Sequence, residues 1–370
     1  MVKQLHNEMH NQIKGGLILM AAVLLFAGCS HEQDEMDTIR TADLPEISLT
    51  HLFVLDEPKD HFFQRITVIE SDSEQRIFVV DQRAHKILVY DREGEYMTTI
   101  GGEGAGPDEF RAILRLIVDA HDRLLVFDMG NNRSVVYRED EREWEPVAFL
   151  TLDGTRFGVE AVDSDGNAIV RQSIDQMPEP GMSWFIHELA PVHLDSGLTG
   201  DRRVEFREMG SLVRDDMRMR RIPFGRTTLL ARGNDGRYYM AWNESFDVEV
   251  YNMNLELIDS VSAPIPNLPV TSDERQEEIE NAGERFRSLA REYMPETKPV
   301  ARSMHVDDHG NFWLRTYDTP EYLVLGPEGN PIGSFDLGEH ERLMYAGSDR
   351  IITLYYDFEV YEVNVYSFEF

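Results

Sequence analysis

Six polar or aromatic residues occupy one matching position in a pattern that recurs along the chain. Each ends a short run of β-branched, aliphatic or aromatic residues, as Asp81 does after Ile77-Phe-Val-Val80. Carboxylate, amide, hydroxyl and aromatic groups that gather at one surface can hydrogen-bond to a polar ligand, such as a sugar or a peptide, and stack on it. The six residues are Asp81, Asp128, Gln172, Trp242, Thr316 and Tyr355.

Arginines accompany these positions and add further hydrogen-bond donors. The alternative for Asp81 and Asp128 is that each carboxylate caps its own loop, as aspartate often does. We predict a ligand-binding set that consists of Asp81, Arg83, Asp128, Arg133, Arg171, Gln172, Trp242, Arg315, Thr316 and Tyr355.

The same residues form no recognisable catalytic arrangement. The sequence has no Gly-x-Ser-x-Gly motif, which argues against a serine nucleophile on a strand–helix turn. We therefore predict no catalytic residue, no resident metal and no cofactor. Zinc would have to be held by the scattered His85, His121, His305 and His309. Calcium remains the alternative cofactor, held by oxygen atoms of Asp81, Asp128, Asn131 and Glu244.

The matching positions belong to a repeat. Strand-like runs start at residues 76, 123, 167, 237, 311 and 350, and turn-forming clusters such as Asp163-Ser-Asp-Gly166 precede them. In four copies an apolar or aromatic residue of a second strand stands nine residues after the first run ends. Four-stranded units of about 40–50 residues are the signature of a β-propeller. We predict an all-β fold, a six-bladed β-propeller over residues 46–370.

Two long gaps between copies predict insertions near 176–222 and 263–298. The second insertion, between blades 4 and 5, is expected to be helical, because Thr271-Ser-Asp-Glu274 has the form of a capping box. A single helix over 271–294 would brace the blades or cover their rim, and partner binding is the alternative. Its apolar face would contain Ile279, Ala282, Phe286, Leu289 and Tyr293.

The last copy supplies only three strands, so the ring needs one more. Residues 46–55 alternate between apolar and polar side chains and lie outside the six copies. A propeller must pair its first and last blades to avoid an exposed edge. We therefore predict that 46–55 is the ring-closing fourth strand of the last blade.

Cys29, the single cysteine of the chain, follows the apolar run 17–27. That run is too short to span a bilayer as a helix and is typical of a signal peptide. The stretch Phe26-Ala-Gly-Cys29 resembles the lipobox of bacterial lipoproteins, although Phe26 replaces the usual leucine. The resemblance implies a signal peptide over 1–28, a lipidated Cys29 and a flexible tether over 29–45. An uncleaved signal anchor or plain secretion is the alternative.

The formal net charge of −32 excludes nucleic acid and anionic lipid as partners attracted by the overall field. Divalent cations or cationic partners suit such a chain, and simple solubility is the alternative explanation.

Gly101-Gly-Glu-Gly-Ala-Gly-Pro-Asp-Glu-Phe110 resembles the inter-blade loop of NHL-type propellers. The first blade matches that repeat well and the second matches it in part. Residues 46–370 resemble bacterial six-bladed propeller lipoproteins, of the NHL-like or TolB-like kind, a group without one established activity. The resemblance implies a cell-envelope protein on the outer membrane of a Gram-negative bacterium, periplasmic or surface-exposed, monomeric, and anchored to the bilayer through acylated Cys29.

Three functions follow from these patterns as hypotheses. The first is a non-catalytic propeller that binds a ligand or an envelope protein, peptide or glycan at the channel mouth. The second is a calcium-dependent hydrolase or lactonase. The third is a structural subunit that docks to an outer-membrane complex through its insertions.

Overall fold

The computed structural model describes residues 38–141, 143–150, 157–163, 165–174, 178–193, 196, 200–233 and 236–370. Within them, six antiparallel sheets follow one another along the chain, and each sheet is one blade. The all-β, six-bladed β-propeller predicted from the repeat is confirmed. The predicted signal peptide, Cys29 and the tether up to residue 37 lie outside the described residues.

The strands follow the repeat in chain order. A 3₁₀ turn at Thr41–Asp43 precedes β1 (Ser48–Val54), which belongs to the last blade. Blade 1 contains β2 (Ile66–Ser71), β3 (Ile77–Asp81), β4 (Lys86–Tyr90) and β5 (Tyr96–Ile100). Blade 2 contains β6 (Ile113–Val118), β7 (Leu124–Asp128), β8 (Arg133–Asp140) and β9 (Glu143–Leu150). Blade 3 contains β10 (Phe157–Val162), β11 (Asn167–Ser173), β12 (Gly181–His193), β13 (Val204–Val213) and β14 (Met219–Arg221).

The second half of the ring includes the helical insertion. Blade 4 contains β15 (Thr228–Arg232), β16 (Tyr238–Trp242), β17 (Phe246–Tyr251) and β18 (Leu257–Ala263). Two helices come next, α1 (Ser272–Asn281) and α2 (Arg287–Tyr293). Blade 5 contains β19 (Ser303–Val306), β20 (Phe312–Arg315), β21 (Tyr322–Leu325) and β22 (Pro331–Phe335). Blade 6 contains β23 (Glu341–Ala346), β24 (Arg350–Tyr356) and β25 (Tyr361–Glu369).

The blades bury both faces of their middle strands against their neighbours. In β3, Phe78 and Val80 pack into a core shared with blade 2, whereas Ile77 and Val79 pack into a core shared with blade 6. Successive residues of a strand point to opposite faces, so one continuous apolar run supplies two cores. Similar cores lie between each remaining pair of adjacent blades. This double burial explains why the runs that mark the repeat are apolar throughout.

The first and last strands of the described chain close the ring. β1 pairs antiparallel with β25, from Ser48 opposite Glu369 to Val54 opposite Asn364. The last sheet therefore has the order β1-β25-β24-β23. β1 occupies the outer position of blade 6, the position in which the alternation over 46–55 places it.

Residues 38–45, predicted to be part of a flexible tether, are docked on blades 4 and 5. Ile39 and Leu44 pack against the core between these two blades. Arg40 forms an ion pair with Asp318, with 2.6 Å between Nε and Oδ2. The prediction is wrong for this stretch, because two apolar side chains within a polar segment are enough to reach the core.

The first predicted insertion, near 176–222, lengthens blade 3. The last residue of β11, Ser173, pairs with His187, so the first residues of β12 extend beyond β11. β13 pairs with this extension, and β14 adds a fifth strand beside β13. Blade 3 is therefore taller and wider than the four-stranded blades around it.

The second insertion forms two helices, and the prediction of one helix over 271–294 is wrong. The capping box between Thr271 and Glu274 is confirmed. Gly283 has a φ of 73°, a left-handed conformation that ends the helical path after α1. Ile279 and Ala290 nevertheless lie in one apolar cluster with Leu212 and Ile222 of the first insertion. The two insertions therefore pack against each other.

Neither α1 nor α2, the two α-helices of the described chain, is long and apolar enough to cross a bilayer.

Candidate functional site

The first strand of each blade lines a central channel with two distinct ends. Residues from all six blades surround a cavity of about 680 Å³ along it. Because the strands within a blade are antiparallel, the loops between second and third strands lie opposite the turns between first and second strands. We call the first of these ends the mouth end and the second the turn end. The predicted site residues belong to loops and strand ends at the mouth end.

Arginines dominate the charged groups of this cavity. Its acidic lining residues are Glu70 and Glu160, and Arg232, at the last position of β15, is paired with Glu70. The lining is therefore net positive, although the chain as a whole carries a net charge of −32. The arginines on the side of the mouth end are Arg115, Arg221, Arg302, Arg315 and Arg342.

Arg302 and Arg315 share a single carboxylate. Nη1 of Arg302 lies 2.8 Å from one oxygen of Glu321, and Nη2 of Arg315 lies 2.8 Å from the other. The guanidinium of Arg302 also stacks on Tyr317, 4.1 Å from the centre of the ring. One negative charge between two positive charges leaves this pair of arginines with a net positive charge.

Arg221 and Arg342 are exposed. Within the described residues, no acidic side chain lies within ion-pair distance of either guanidinium. Both are nevertheless close to the Arg302–Arg315 pair. Burial raises the pKa of Tyr317, and the positive charges of Arg302 and Arg221 partly oppose that rise. Arg315 and Arg342 have the same effect on Tyr322, whose pKa is also raised by burial.

The opposite wall of the mouth carries a balanced ionic network between blades 2 and 3. Glu160 accepts from Arg115 at 2.5 Å and contacts Arg171 at 2.7 Å. Arg171 continues the network to Glu208 at 2.9 Å, and His187 contacts the second oxygen of Glu208 at 2.9 Å. The hydrogen bond from His187 and the charge of Arg171 lower the pKa of Glu208 to about 2, against the effect of burial.

His305 lies inside the channel on β19. Burial lowers the pKa of His305 to about 4, because a charged imidazolium would lose its hydration there. At neutral pH this side chain is therefore an uncharged donor and acceptor, three residues after Arg302 in the lining of the same cavity.

The turn end has the opposite character. A second cavity, of about 340 Å³, lies there. Asp72 and Asp119 each bind the arginine four residues later in their own turn, with Nε–Oδ2 distances of 2.6 and 2.7 Å. Asp122, Asp308 and Asp349 line the same cavity. Arg232 and Arg350 also line this cavity, which therefore has five aspartates against two arginines, so the channel is basic at its mouth end and more acidic at its turn end.

Asp81 and Asp128, the first two predicted site residues, are completely buried. Asp81 accepts hydrogen bonds from the main-chain N–H groups of Gln64 and Arg65, at 2.8 and 3.0 Å, and also contacts His61 Nε2 at 3.0 Å. Asp128 accepts from the main chain of the corresponding connection in blade 2. Neither carboxylate faces the channel, so their ligand-binding assignment is corrected: both hold the inter-blade connections, the alternative weighed above.

Two more predicted residues stabilise loops at the mouth end. Arg133 donates to the main-chain oxygens of Gly106 and Glu109, at 2.6 and 2.7 Å, and so holds the Gly-rich loop 101–110. Thr316 is buried, and its hydroxyl donates to the main-chain oxygen of Glu321 at 3.1 Å.

The remaining predicted residues are spread over separate places. Arg83 lines a surface cavity beside Phe62, and Trp242 lines another beside Phe206. The hydroxyl of Tyr355 donates to Asp357 at 3.3 Å. Gln172 pairs with Glu188 in the ladder of blade 3, and Arg171 belongs to the network described above. Arg315 is the predicted residue that lines the central cavity itself.

The sequence reasoning missed Arg221, Arg302 and Arg342. A signal for two of them existed in the repeat, because Arg302 and Arg342 each stand five residues before the turn residue that follows the first strand, Asp307 or Gly347. The predicted residues lie at or near the end of the second strand in each copy, whereas the first strand of each blade lines the channel. Arg221 reaches the mouth through β14, which the repeat does not contain.

Within the described residues, no group of three or more histidine, cysteine, aspartate or glutamate side chains is arranged to hold a metal ion. Of the predicted calcium ligands, Asp81 and Asp128 are bound by their own loops, and Glu244 pairs with Arg226 at 2.6 Å.

Comparison with known proteins supports the fold. Residues 34–154 match the family DUF5128, which is described as a 6-bladed beta-propeller. The crystal structure of a member of the DUF4221 family from Bacteroides vulgatus is 12% identical with a TM-score of 0.53, over 88% of this chain and 98% of that chain. No curated protein matches the sequence significantly.

Two enzymes are among the other similar structures. Virginiamycin B lyase from Staphylococcus aureus is 9% identical with a TM-score of 0.45, over 87% of this chain and 99% of that chain. A luciferin-regenerating enzyme is 12% identical with a TM-score of 0.44, over 88% of this chain and 95% of that chain. At such identities the likeness concerns the fold alone.

Proposed function

We propose that this propeller is a lipid-anchored envelope protein that binds a polar ligand, without catalysis, in the mouth end of its channel. The observation that carries the proposal is the cavity of about 680 Å³ lined by all six blades. Cavities of about 300–1,000 Å³ with a few convergent polar groups are typical of small-molecule sites. The mouth end supplies those groups, mainly as arginines.

The two insertions also support a binding site at this end. They pack against each other, and Arg221, at the end of β14, links them to the cavity. An insertion that contributes to one wall of a pocket can adapt that pocket to its ligand without a change in the blades.

The binding proposal can be tested by filling the channel. Ser303 lies on β19 in the cavity, so Ser303→Trp should obstruct it, whereas Ser260→Trp adds the same side chain on the exposed outer strand β18. Binding of a panel of neutral and acidic oligosaccharides and short peptides would be measured by calorimetry with the detergent-solubilised full-length protein.

We expect Ser303→Trp to abolish binding of any probe that the wild type retains, and Ser260→Trp to leave it unchanged. Equal binding by the wild type and Ser303→Trp, with the fold of both intact by circular dichroism, would show that the channel is not the site.

The anchor is supported by the lipobox-like stretch that ends at Cys29. Several acyl chains at Cys29 would give durable membrane attachment, since a single chain holds a protein to a bilayer only marginally. Metabolic labelling with a fatty acid should mark the wild type in the membrane fraction and leave Cys29→Ser unlabelled. Equal labelling of both proteins would contradict the proposed anchor.

A further inference from the structure

The mouth end concentrates positive charge in a strongly acidic protein. The chain contains 68 acidic residues against 36 lysines and arginines. Even so, Arg221, Arg302, Arg315 and Arg342 surround one side of the mouth, and Glu321 pairs with Arg302 and Arg315 alone. Guanidinium groups repel one another at such a site unless an anion lies between them. Among the described residues, Glu321 is the carboxylate in ion-pair contact with this group, and the charge of Asp336 acts on Arg315 from beyond that distance.

Glu321 shows which chemistry the arginines accept. It is bound by one N–H group from each of Arg302 and Arg315, at 2.8 Å in both contacts. Guanidinium forks match the geometry of carboxylate and phosphate oxygens, which is why arginine dominates the recognition of both groups. Arg221 and Arg342 line the same cavity, are exposed, and have no acidic partner within ion-pair distance in the described chain.

The turn end of the channel differs in charge from the mouth end, so an anion would bind at the mouth end. At the turn end, Asp72 and Asp119 are paired with arginines, and Asp122, Asp308 and Asp349 line the cavity beside Arg232 and Arg350, so this end lacks the excess of positive charge found at the mouth end. A cleft with an excess of one sign of charge, such as the mouth end, focuses the local field and raises the local concentration of the opposite ion. Acidic side chains on the rest of the protein surface act weakly on an anion at the mouth end in physiological salt, because the screening length of exposed charges is about 8–10 Å.

We propose that the ligand of the channel carries at least two anionic groups, carboxylate or phosphate, and that Arg221 and Arg342 bind them beside the Arg302–Glu321–Arg315 cluster. The inference rests on the proposed function, since it names the class of ligand that the mouth end would bind. The volume of the cavity suits a ligand of two or three sugar rings or of similar size.

Three probes separate the sources of the anion. Trigalacturonate carries three carboxylates, its methyl ester is nearly the same molecule without charge, and pyrophosphate carries phosphate oxygens alone. Binding to the detergent-solubilised full-length protein would be measured by calorimetry at low and at physiological salt. We expect at least one anionic probe to bind, the methyl ester to fail, and the affinity to fall as salt rises.

The variants are matched in charge. Arg342→Ala and Arg221→Ala should each weaken binding about 10- to 100-fold, the typical effect of losing a hydrogen bond to a charged group. Arg342→Lys should recover only part of the affinity, because an ammonium lacks the fork. Arg138→Ala removes the same charge from an exposed position of β8 outside the cavity and should have no effect.

Two outcomes would overturn the inference about the ligand class. One is equal binding of trigalacturonate and its methyl ester, and the other is unchanged anion affinity in the Arg221→Ala/Arg342→Ala double variant. If a neutral probe binds and Ser303→Trp abolishes that binding, the channel function stands and the anionic class fails. If Ser303→Trp binds every probe as the wild type does, the channel function itself fails.

Discussion

Asp81 and Asp128 occupy the same position of the repeat and stabilise the connections between blades. Each carboxylate is fully buried and accepts hydrogen bonds from main-chain N–H groups of the connection that enters its blade. Buried main-chain donors need partners, and an aspartate at the end of the second strand supplies them. Aspartate therefore recurs at this position because the junction between blades needs a buried acceptor for its main-chain N–H groups.

Asp81→Ala should consequently reduce stability. The N–H groups of Gln64, Arg65 and Ala84 would lose their acceptor, and the expected cost is about 2–4 kcal/mol in the free energy of unfolding. Urea unfolding would measure it. Arg83→Ala, an exposed neighbour in the same loop, should change stability by less than about 0.5 kcal/mol. Similar stabilities for the two variants would contradict this role of Asp81.

The lowered pKa of Glu208 should make the free energy of unfolding depend on pH. Its pKa is lowered to about 2 in the folded protein, first by the hydrogen bond from His187 and then by the charge of Arg171. A carboxylate with a lowered pKa stabilises the fold above its unfolded pKa, near 4.5, and this contribution disappears as the pH falls through its folded pKa.

The change that tests it is Glu208→Gln. At neutral pH we expect the variant to be less stable by about 1–2 kcal/mol, after allowance for the partial exposure of the pair. The difference between wild type and variant should shrink from pH 4.5 towards pH 2, measured by urea unfolding at several pH values. A difference that stays constant over this range would contradict the assigned cause.

At the scale of elements, the two insertions form a single apolar cluster beside the mouth. Ile279 of α1 is buried against Leu212 of β13 and Ile222, which follows β14. Ile279→Ala should cost about 2–4 kcal/mol locally, because it leaves a cavity in a small core. Hydrogen exchange should accelerate in α1, α2 and the end of β13, while β3 and β4 of blade 1 keep their protection.

Leu257→Ala is the matched control for this experiment. Leu257 is more than half exposed on β18, so its truncation should leave exchange unchanged. If Ile279→Ala accelerated exchange in all blades equally, the insertions would be part of the global core and the interpretation would fail.

The elements also show where sequence reasoning succeeds. Runs such as Ile77–Val80 are buried on both faces, so their composition predicts blades and their number. The cap at Thr271 was predictable because its hydrogen bonds are local. The break at Gly283 and the docking of 38–45 depend on tertiary contacts, which a local pattern does not contain.

The candidate site illustrates the same limit. Arg302 directly precedes the first strand of blade 5, Arg342 lies on the first strand of blade 6, and Arg221 lies on the fifth strand of blade 3. These arginines come together at one opening only when the ring is closed. Their combined positive charge therefore cannot be read from the net charge of the chain, which is −32. Arg315 was predicted because it adjoins the repeat position at the end of β20.

At the scale of the whole molecule, closure of the ring depends on β1. It covers the edge of β25, and the preceding stretch is fastened to blades 4 and 5 by Arg40 and by Ile39 and Leu44. Deletion of residues 38–55 should expose the edge of β25 and uncouple blade 6 from that stretch. We expect a lower urea midpoint, loss of a single cooperative transition and association of the protein through the open edge, detected by light scattering.

The control keeps β1 and changes its exposed surface. Leu52 and Val54 are both exposed, so Leu52→Ala and Val54→Ala should leave the midpoint and the monomeric state nearly unchanged. The rest of the interface between blades 6 and 1 consists of residues from the first, second and third strands together with Phe63, all of which remain in the deletion variant. If those contacts alone sufficed, the deletion variant would unfold like the wild type and remain monomeric, and closure would not depend on β1. Because an unpaired β25 would expose its main-chain hydrogen-bonding groups along a long strand, we expect the strand to be required.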